Sequence, residues 1–376
     1  MLAPLRDYLR PQDPMSSPLL CTTKDHYFNR MSIEFNHNKP VFRESRWIVT
    51  EDINVEHLVD VFTSVDADTG QVWGACADFF AHLYWHKPRY TVLRVKVEGL
   101  PDDRFFKPIC LLKLAELFKS VGNQVERKRL LNHTLKLLRE RGGDHDVAEV
   151  LRDLSDANRM LGLPEEGIQQ AKEALEIYQR LGTEAEQVGC LNYLGLVLQK
   201  ANQLNAAKEA ASLANYLVPE KGHEFLACQS RRLLGDIYRS MGERTKAIPH
   251  LEAALAIASP FGWHDLLFWI HYDLALLFLD ERQFDSAHAR IEQAKSHTVN
   301  DPYRLGRAVH LHAIIWFRQS ILEEAKSEAL CPSETFENFG AVEESESCRT
   351  LLQEIERITN SRSTPDNSDS NGELLK

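Results

Sequence analysis

Two short runs in the chain place an acid between two arginines at the same spacing: Arg152, Asp156, Arg159 and, eighty residues on, Arg232, Asp236, Arg239. On a helix, offsets of four and then three put all three side chains on one face. Guanidinium forks on such a face bind carboxylates through paired, charge-assisted hydrogen bonds. The two runs, with Asn192 on the helix between them, are therefore suited to an extended acidic peptide or to the carboxylates of another domain. The plainer alternative is that each Asp neutralises its own two arginines in solvent, a pairing worth only a few tenths of a kcal/mol.

Other groupings point to no reaction. The sequence has no Gly-x-Ser-x-Gly elbow and no His-Glu-x-x-His, and its 15 histidines are scattered. His264, His271, His310 and His312 could be drawn as a metal cluster, but no Cys or carboxylate stands at ligand spacing, which favours structural roles. Asp144, His145 and Asp146 read as a solvated, charged loop between helices. No Gly-x-x-x-x-Gly-Lys-Ser/Thr phosphate loop occurs, so no ATPase is assigned to this chain. No catalytic residue, cofactor or metal is expected.

The elements that must position these residues announce themselves by period. Leu114, Leu154, Leu194, Leu234 and Leu274 fall at forty-residue intervals, each followed by a small residue: Ala115, Ser155, Gly195, Gly235, Ala275. Small residues recur in phase at Gly167, Ala207, Ala247 and Ala287, and again at Ala174, Ala214, Ala254 and Ala294, with turn formers at Gly122, Gly162, Asn202 and Gly242. One unit is being copied. Each copy opens with a helix-period segment, turns, and enters a second helical segment whose alanines lie on one face. Small residues at the crossing let the two backbones approach, and the leucine fills the gap to the next hairpin. A single hairpin cannot bury its apolar face, so only a stack is stable. In stacks of this kind the first helix of each pair lines the concave surface, which is where both Arg-Asp-Arg runs fall.

The copies are unequal. Arg127 stands at an expected small position in the first, and in the sixth, around Ala313 and Ala325, the spacing drops by two and Pro332 replaces an alanine. Pro332 is expected to kink or end its helix. Phe261, Trp263, Phe268, Trp269 and Tyr272 cluster at a hairpin junction, where core packing is the expected role and an interface the alternative.

Composition bounds the rest. The 376 residues carry a formal net charge of −11, with acids concentrated after Glu323, which disfavours a nucleic-acid partner. The run Arg127, Lys128, Arg129 reads as a solvated helix face. Seven cysteines show no Cys-x-x-Cys spacing, and Cys110 and Cys190 share one repeat position, the pattern of packing residues in a reduced, cytoplasmic chain. No apolar run approaches the roughly 18 residues of a membrane helix, and no signal-peptide core opens the chain.

Residues 1–50 read as a linker beginning with an amphipathic helix that carries Leu2, Leu5 and Leu9, and 51–100 as a degenerate helical cap. Within the cap YTVLRVKVE alternates like a strand but has no evident partner, so helix is preferred. The repeat region spans 101–355, and 356–376 is polar enough to remain disordered. The expected fold is all-α, a right-handed α-solenoid of long-period hairpins with that cap at its N-terminus.

Leu234, Gly235 and Tyr238, with Ala247 and Ala254, resemble the tetratricopeptide repeat, here stretched beyond its usual period of about 34 residues. The surrounding segments RDYLRPQDPMSSPLLCTTKDHYF, ESRWIVTEDINVEHLVDVF, EGLPDD and LRDLSDANRMLG resemble the C-terminal half of fungal NLR-like signalling ATPases, which join a NACHT or NB-ARC nucleotide-binding module to tetratricopeptide repeats. The resemblance implies a sensing and autoinhibitory arm that binds protein, partnered by an ATPase module in cis or in trans. It also implies that the opening helix is the tail of a winged-helix region. The chain is then either a fragment of such a protein or a separate repeat adaptor. A chaperone-tail carboxylate clamp is not reproduced, because its sites carry Leu112 and Glu116, Arg152 and Asp156, Asn192 and Leu196.

Overall fold

The computed structural model describes residues 90–103, 107–120, 122–218, 222–298, 301–338 and 342–363. These form α1 (Tyr90–Gly99), α2 (Lys107–Ser120), α3 (Gln124–Arg141), α4 (Asp144–Met160), α5 (Pro164–Leu181), α6 (Glu184–Lys200), α7 (Leu204–Leu217), α8 (Glu224–Ser240), α9 (Arg244–Phe261), α10 (His264–Asp280), α11 (Phe284–Ser296), α12 (Pro302–Arg318), α13 (Leu322–Asn338) and α14 (Val342–Ser363). No strand occurs among the described residues. The alternating segment at 90–99 is helix α1, packed on α2. The opening amphipathic segment and most of the cap lie outside the described residues.

The chain divides into two compact units, Met1–Met241 and Gly242–Lys376. In the first, α2/α3, α4/α5 and α6/α7 pair as hairpins, and α8 packs on α6 and α7. In the second, α9 packs on α10, α10/α11 and α12/α13 pair, and α14 packs on α13 and α12. Among the described residues each unit is a stack of antiparallel helical hairpins.

The forty-residue frame is written into the backbone. Left-handed turns close the first helix of each pair at Gly122, Gly162, Asn202, Gly242, Arg282 and Ser320, and a second series at Gly142, Gly182, Gly222 and Gly262 ends the second helices. Arg282 and Ser320 hold φ of 58° and 64° without glycine's freedom, at a cost of about 1 kcal/mol each. The length beyond the usual repeat is absorbed by the helices themselves: α5 runs 18 residues and α6 runs 17.

The repeated small residues sit where helices cross. Ala174, Ala207, Ala214, Ala254, Ala287 and Ala294 are fully buried, as are Leu114 and Leu154. A Cβ added at Gly195 would lie 2.9 Å from Leu233 Cδ2, and one at Gly167 3.0 Å from the Ser155 carbonyl oxygen. At Gly167 the obstacle is backbone, and at Gly195 it is the end of a leucine side chain that would have to shift. Cys110, Cys190, Cys228 and Cys348 are buried free thiols; burial pushes Cys190 up to about 12, so it packs and does not react.

Four expectations need correction. Asp144, His145 and Asp146 form no loop; they are the first turn of α4, where acids favour the helix N-terminus. Of the two outcomes expected at Pro332, a kink or an end, the end does not occur, since α13 continues to Asn338. The last helix, α14, runs to Ser363, past the boundary placed at 355. Arg127 is no part of a solvated face: it is 1% exposed.

Helix α14 also explains how the second unit finishes. In the first unit the Ser230 hydroxyl on α8 donates to Asn192 on α6 at 3.0 Å, across 38 residues. His310 Nδ1 on α12 meets Cys348 Sγ on α14 at 3.2 Å, across the same 38. Helix α14 therefore occupies the register of one more first helix. The contact is extended by Ser347 at His310 Nε2 (3.0 Å), by the Tyr303 hydroxyl donating to Glu344 (2.9 Å) and by Arg307 donating to Glu344 (3.2 Å). Its other side carries Glu346, Arg349, Thr350, Gln353, Glu354 and Arg357, all exposed.

Candidate functional site

The seven residues singled out in the sequence all fall on first helices of the first unit: Arg152, Asp156 and Arg159 on α4, Asn192 on α6, and Arg232, Asp236 and Arg239 on α8. The two Arg-Asp-Arg runs adopt one geometry. Arg159 donates to Asp156 Oδ1 from Nη2 at 2.8 Å and from Nε at 3.2 Å, and Arg239 repeats both distances on Asp236. The second arginine of each run is thus engaged by its own acid. Arg152, the first, turns elsewhere, to Glu149 at 3.4 Å and Asp153 at 3.7 Å.

The acids then diverge. Asp156 is 4% exposed and accepts a further bond from Arg127 Nη1 at 2.9 Å, with Lys119 Nζ at 3.6 Å. Burial alone would raise its pKa, but Arg159, Lys119 and Arg127 outweigh that and hold it far below the usual carboxylate range. Asp236 is less enclosed and accepts from Gln199 Nε2 at 2.8 Å; Gln199 also donates to Ser240 at 3.0 Å.

Arg127 connects the irregular first repeat to this site. Where later copies place Gly167, Ala207 and Ala247, the chain has a guanidinium that passes through the crossing to reach Asp156. Sequence reasoning missed it because the departure read as degeneracy. It also missed Tyr193 on α6, whose ring lies 5.8 Å from the Arg152 guanidinium and 6.0 Å from Lys119 Nζ. Lys119 and Gln199 were legible in principle, since each stands forty residues from Arg159.

Several donors at the site have no acceptor. Arg152 Nε, Arg127 Nη2 and Asn192 Nδ2 are buried without a hydrogen-bond partner. Each costs about 1–3 kcal/mol as it stands.

In the second unit the four histidines do not gather. His264 Nδ1 meets His297 Nδ1 at 3.0 Å, and His271 stacks on His297. His310 faces α14, while His312 bonds His288 at 2.8 Å and Glu328 at 2.9 Å. Among the described residues no group of His, Cys, Asp or Glu could hold a metal ion. Of the aromatic cluster, Phe268 and Tyr272 are buried core, whereas Phe261 is half exposed and stacks on Trp263 at 4.4 Å. Trp269 and Tyr272 lie 5.1 and 5.3 Å beneath the Arg307 guanidinium.

Residues 226–296 match the tetratricopeptide repeat family model. No curated protein matches the chain. Among solved structures, the chain is similar to a Rap protein complexed with competence and sporulation factor (12% identity, covering 91% of this chain and 98% of that one, TM-score 0.57). It is similar too to a STAND signal-transduction ATPase with a tetratricopeptide repeat sensor from Pyrococcus horikoshii (14% identity, covering 95% of this chain and 55% of that one, TM-score 0.53). At these identities the likeness establishes the fold. Among the described residues no helix is long and apolar enough to cross a membrane.

Proposed function

We propose that the chain is a non-catalytic scaffold for protein interaction, and specifically the sensor and autoinhibitory arm of an NLR-like signalling ATPase acting in the cytoplasm. The NACHT or NB-ARC module is supplied in cis or in trans. The observation that carries the binding function is the first-helix face of the first unit. There a buried carboxylate fixes its guanidiniums while donors on Arg152 and Asn192 stay without acceptors. A face held in place before its ligand arrives loses little entropy on binding, and the exposed parts of Lys119 and Arg152 are suited to the carboxylates of a protein or peptide ligand. The repeat match and the segments ahead of the repeats support the sensor reading. A ligand that prefers the released conformation of the arm shifts the ATPase out of its resting state by its differential affinity. Replacing Arg152 and Arg232 together with Ala abolishes that binding in a pull-down from source cells; unchanged capture overturns the groove assignment.

The ATPase connection has its own test. An antibody to residues 340–376 is used to size and precipitate the native protein, with peptides sequenced by mass spectrometry. Peptides from a phosphate-loop domain, on the same chain or a co-precipitated one, bear the reading out. A 43.1 kDa chain that brings down no such domain overturns it and leaves a stand-alone adaptor.

A further inference from the structure

The ion pairs around Asp156 form one connected network whose charges do not cancel. Lys119 and Arg159 pair with Asp156, Arg127 with Asp156 and Asp153, and Arg152 with Asp153 and Glu149: four cations against three carboxylates. The surplus cation is on the open side. Lys119 is 44% exposed and Arg152 22% at the side chain, against 1% for Arg127. Those two cations come from different helices, α2 and α4, and converge on one ring, Tyr193 of α6. Beneath them Arg127 Nη2 and Arg152 Nε are buried donors with nothing to donate to. Excess charge on two reachable cations and an aromatic wall thus coincide at one place.

We infer that Lys119, Arg152 and Tyr193 form a subsite for a single carboxylate of a bound peptide, from an acidic side chain or from its C-terminus. The inference rests on the groove reading above and narrows it. One carboxylate brings the network to neutrality. A phosphate dianion overshoots it and faces Asp153 and Glu149 as like charges, so the subsite discriminates against phosphorylated segments. The Tyr193 ring flanks the anion with apolar surface, which favours a carboxylate whose neighbouring residue is hydrophobic.

The test uses the full chain and four degenerate heptapeptide pools in calorimetric titration: amidated with one fixed Asp, amidated with Asn in its place, neutral with a free C-terminus, and amidated with one phosphoserine. The fixed-Asp or the free-C-terminus pool should bind at least about tenfold more tightly than the Asn pool, as expected for a charge-assisted hydrogen bond, and whichever does identifies the source of the carboxylate. Lys119→Met with Arg152→Gln removes that preference. Asp153→Asn, which raises the net charge by one, admits the phosphoserine pool. Equal binding of all four pools overturns the subsite while leaving the groove intact. Binding of none, by a chain with unchanged helical circular dichroism, overturns both. Tighter binding of the phosphoserine pool to the unaltered chain overturns the charge count.

Discussion

One register position separates the two units: Arg152, Asn192 and Arg232 occupy it in the first, Tyr272 and His310 in the second. Three residues toward the N-terminus the contrast repeats, with Glu149 and Gln229 in the first against Trp269 and Arg307 in the second. The backbone frame is common, with turns spaced by forty residues and, between Arg282 and Ser320, by thirty-eight, yet the first unit carries the Asp156 ion network on this face and the second carries rings and imidazoles around one Arg307–Glu344 pair. The repeated small residues and leucines set the hairpin geometry and leave the side chains of this face free to differ between the units. Its energetics differ accordingly. A buried ion network is marginal when complete and costly when broken; an aromatic face draws on area and is insensitive to the loss of one charge.

The largest way to break that contrast is Asp156→Ala. It strands the buried Arg127 guanidinium and is expected to destabilise the first unit by about 3–5 kcal/mol. Adding Arg127→Met should recover most of that loss in chemical denaturation; no recovery in the double variant would mean that the network is not what holds Asp156. Phe268→Ala, in the fully buried core of the second unit, should cost about 3–4 kcal/mol by cavity formation, with no charge partner able to rescue it. Gly195→Ala tests close approach: a Cβ 2.9 Å from Leu233 Cδ2 makes that buried side chain shift, and the gain of about 1 kcal/mol in helix propensity offsets much of the cost, so the melting temperature should fall only slightly.

Acid sharpens the comparison further. His271 is held down at about 4 by burial first, then by Arg290 and His297; His310 is held at about 4 by burial and then Arg307, with Glu344 opposing. Both bind a proton more readily unfolded, near the ordinary 6.5, than folded. Their contribution is therefore full above pH 6.5 and is lost as pH falls toward 4, on the order of 2 kcal/mol each. Asp156, whose pKa is depressed, keeps its contribution until far more acid conditions. Hydrogen exchange between pH 6.5 and 4 should show the second unit loosening first, and His271→Gln with His310→Gln should flatten that dependence. The smallest expected effect is at Arg139, exposed and paired with Glu173 at 2.6 Å. Its replacement by Ala should change stability by no more than about 0.5 kcal/mol, and a larger loss would mean that the surface pairs of the first unit belong to its network.

The fold was legible because its signal is periodic: leucines and alanines in phase give hairpins, and the same frame put all seven proposed binding residues on first helices. The groove was only half legible. Spacing predicted that Asp156 and Asp236 meet arginines three residues on, and they do. It could not say that Arg152 turns to Asp153 and Glu149, since offsets of one, three and four are all open to a long side chain. Arg127 and Tyr193 were hidden for another reason: their partners lie on other helices, and only the packing of one hairpin on the next brings them together. Pro332 does not end α13 because a proline's cost is local, while burial is summed over the whole helix.

The polar outer side of α14 has a consequence for how such a chain could grow. Glu346, Arg349, Gln353 and Glu354 give an incoming helix nothing apolar to rest on, so a repeat duplicated at that end finds no seat. An apolar partner, whether a further helix or a second molecule, would have to displace water from charged groups there without gaining buried apolar area in return.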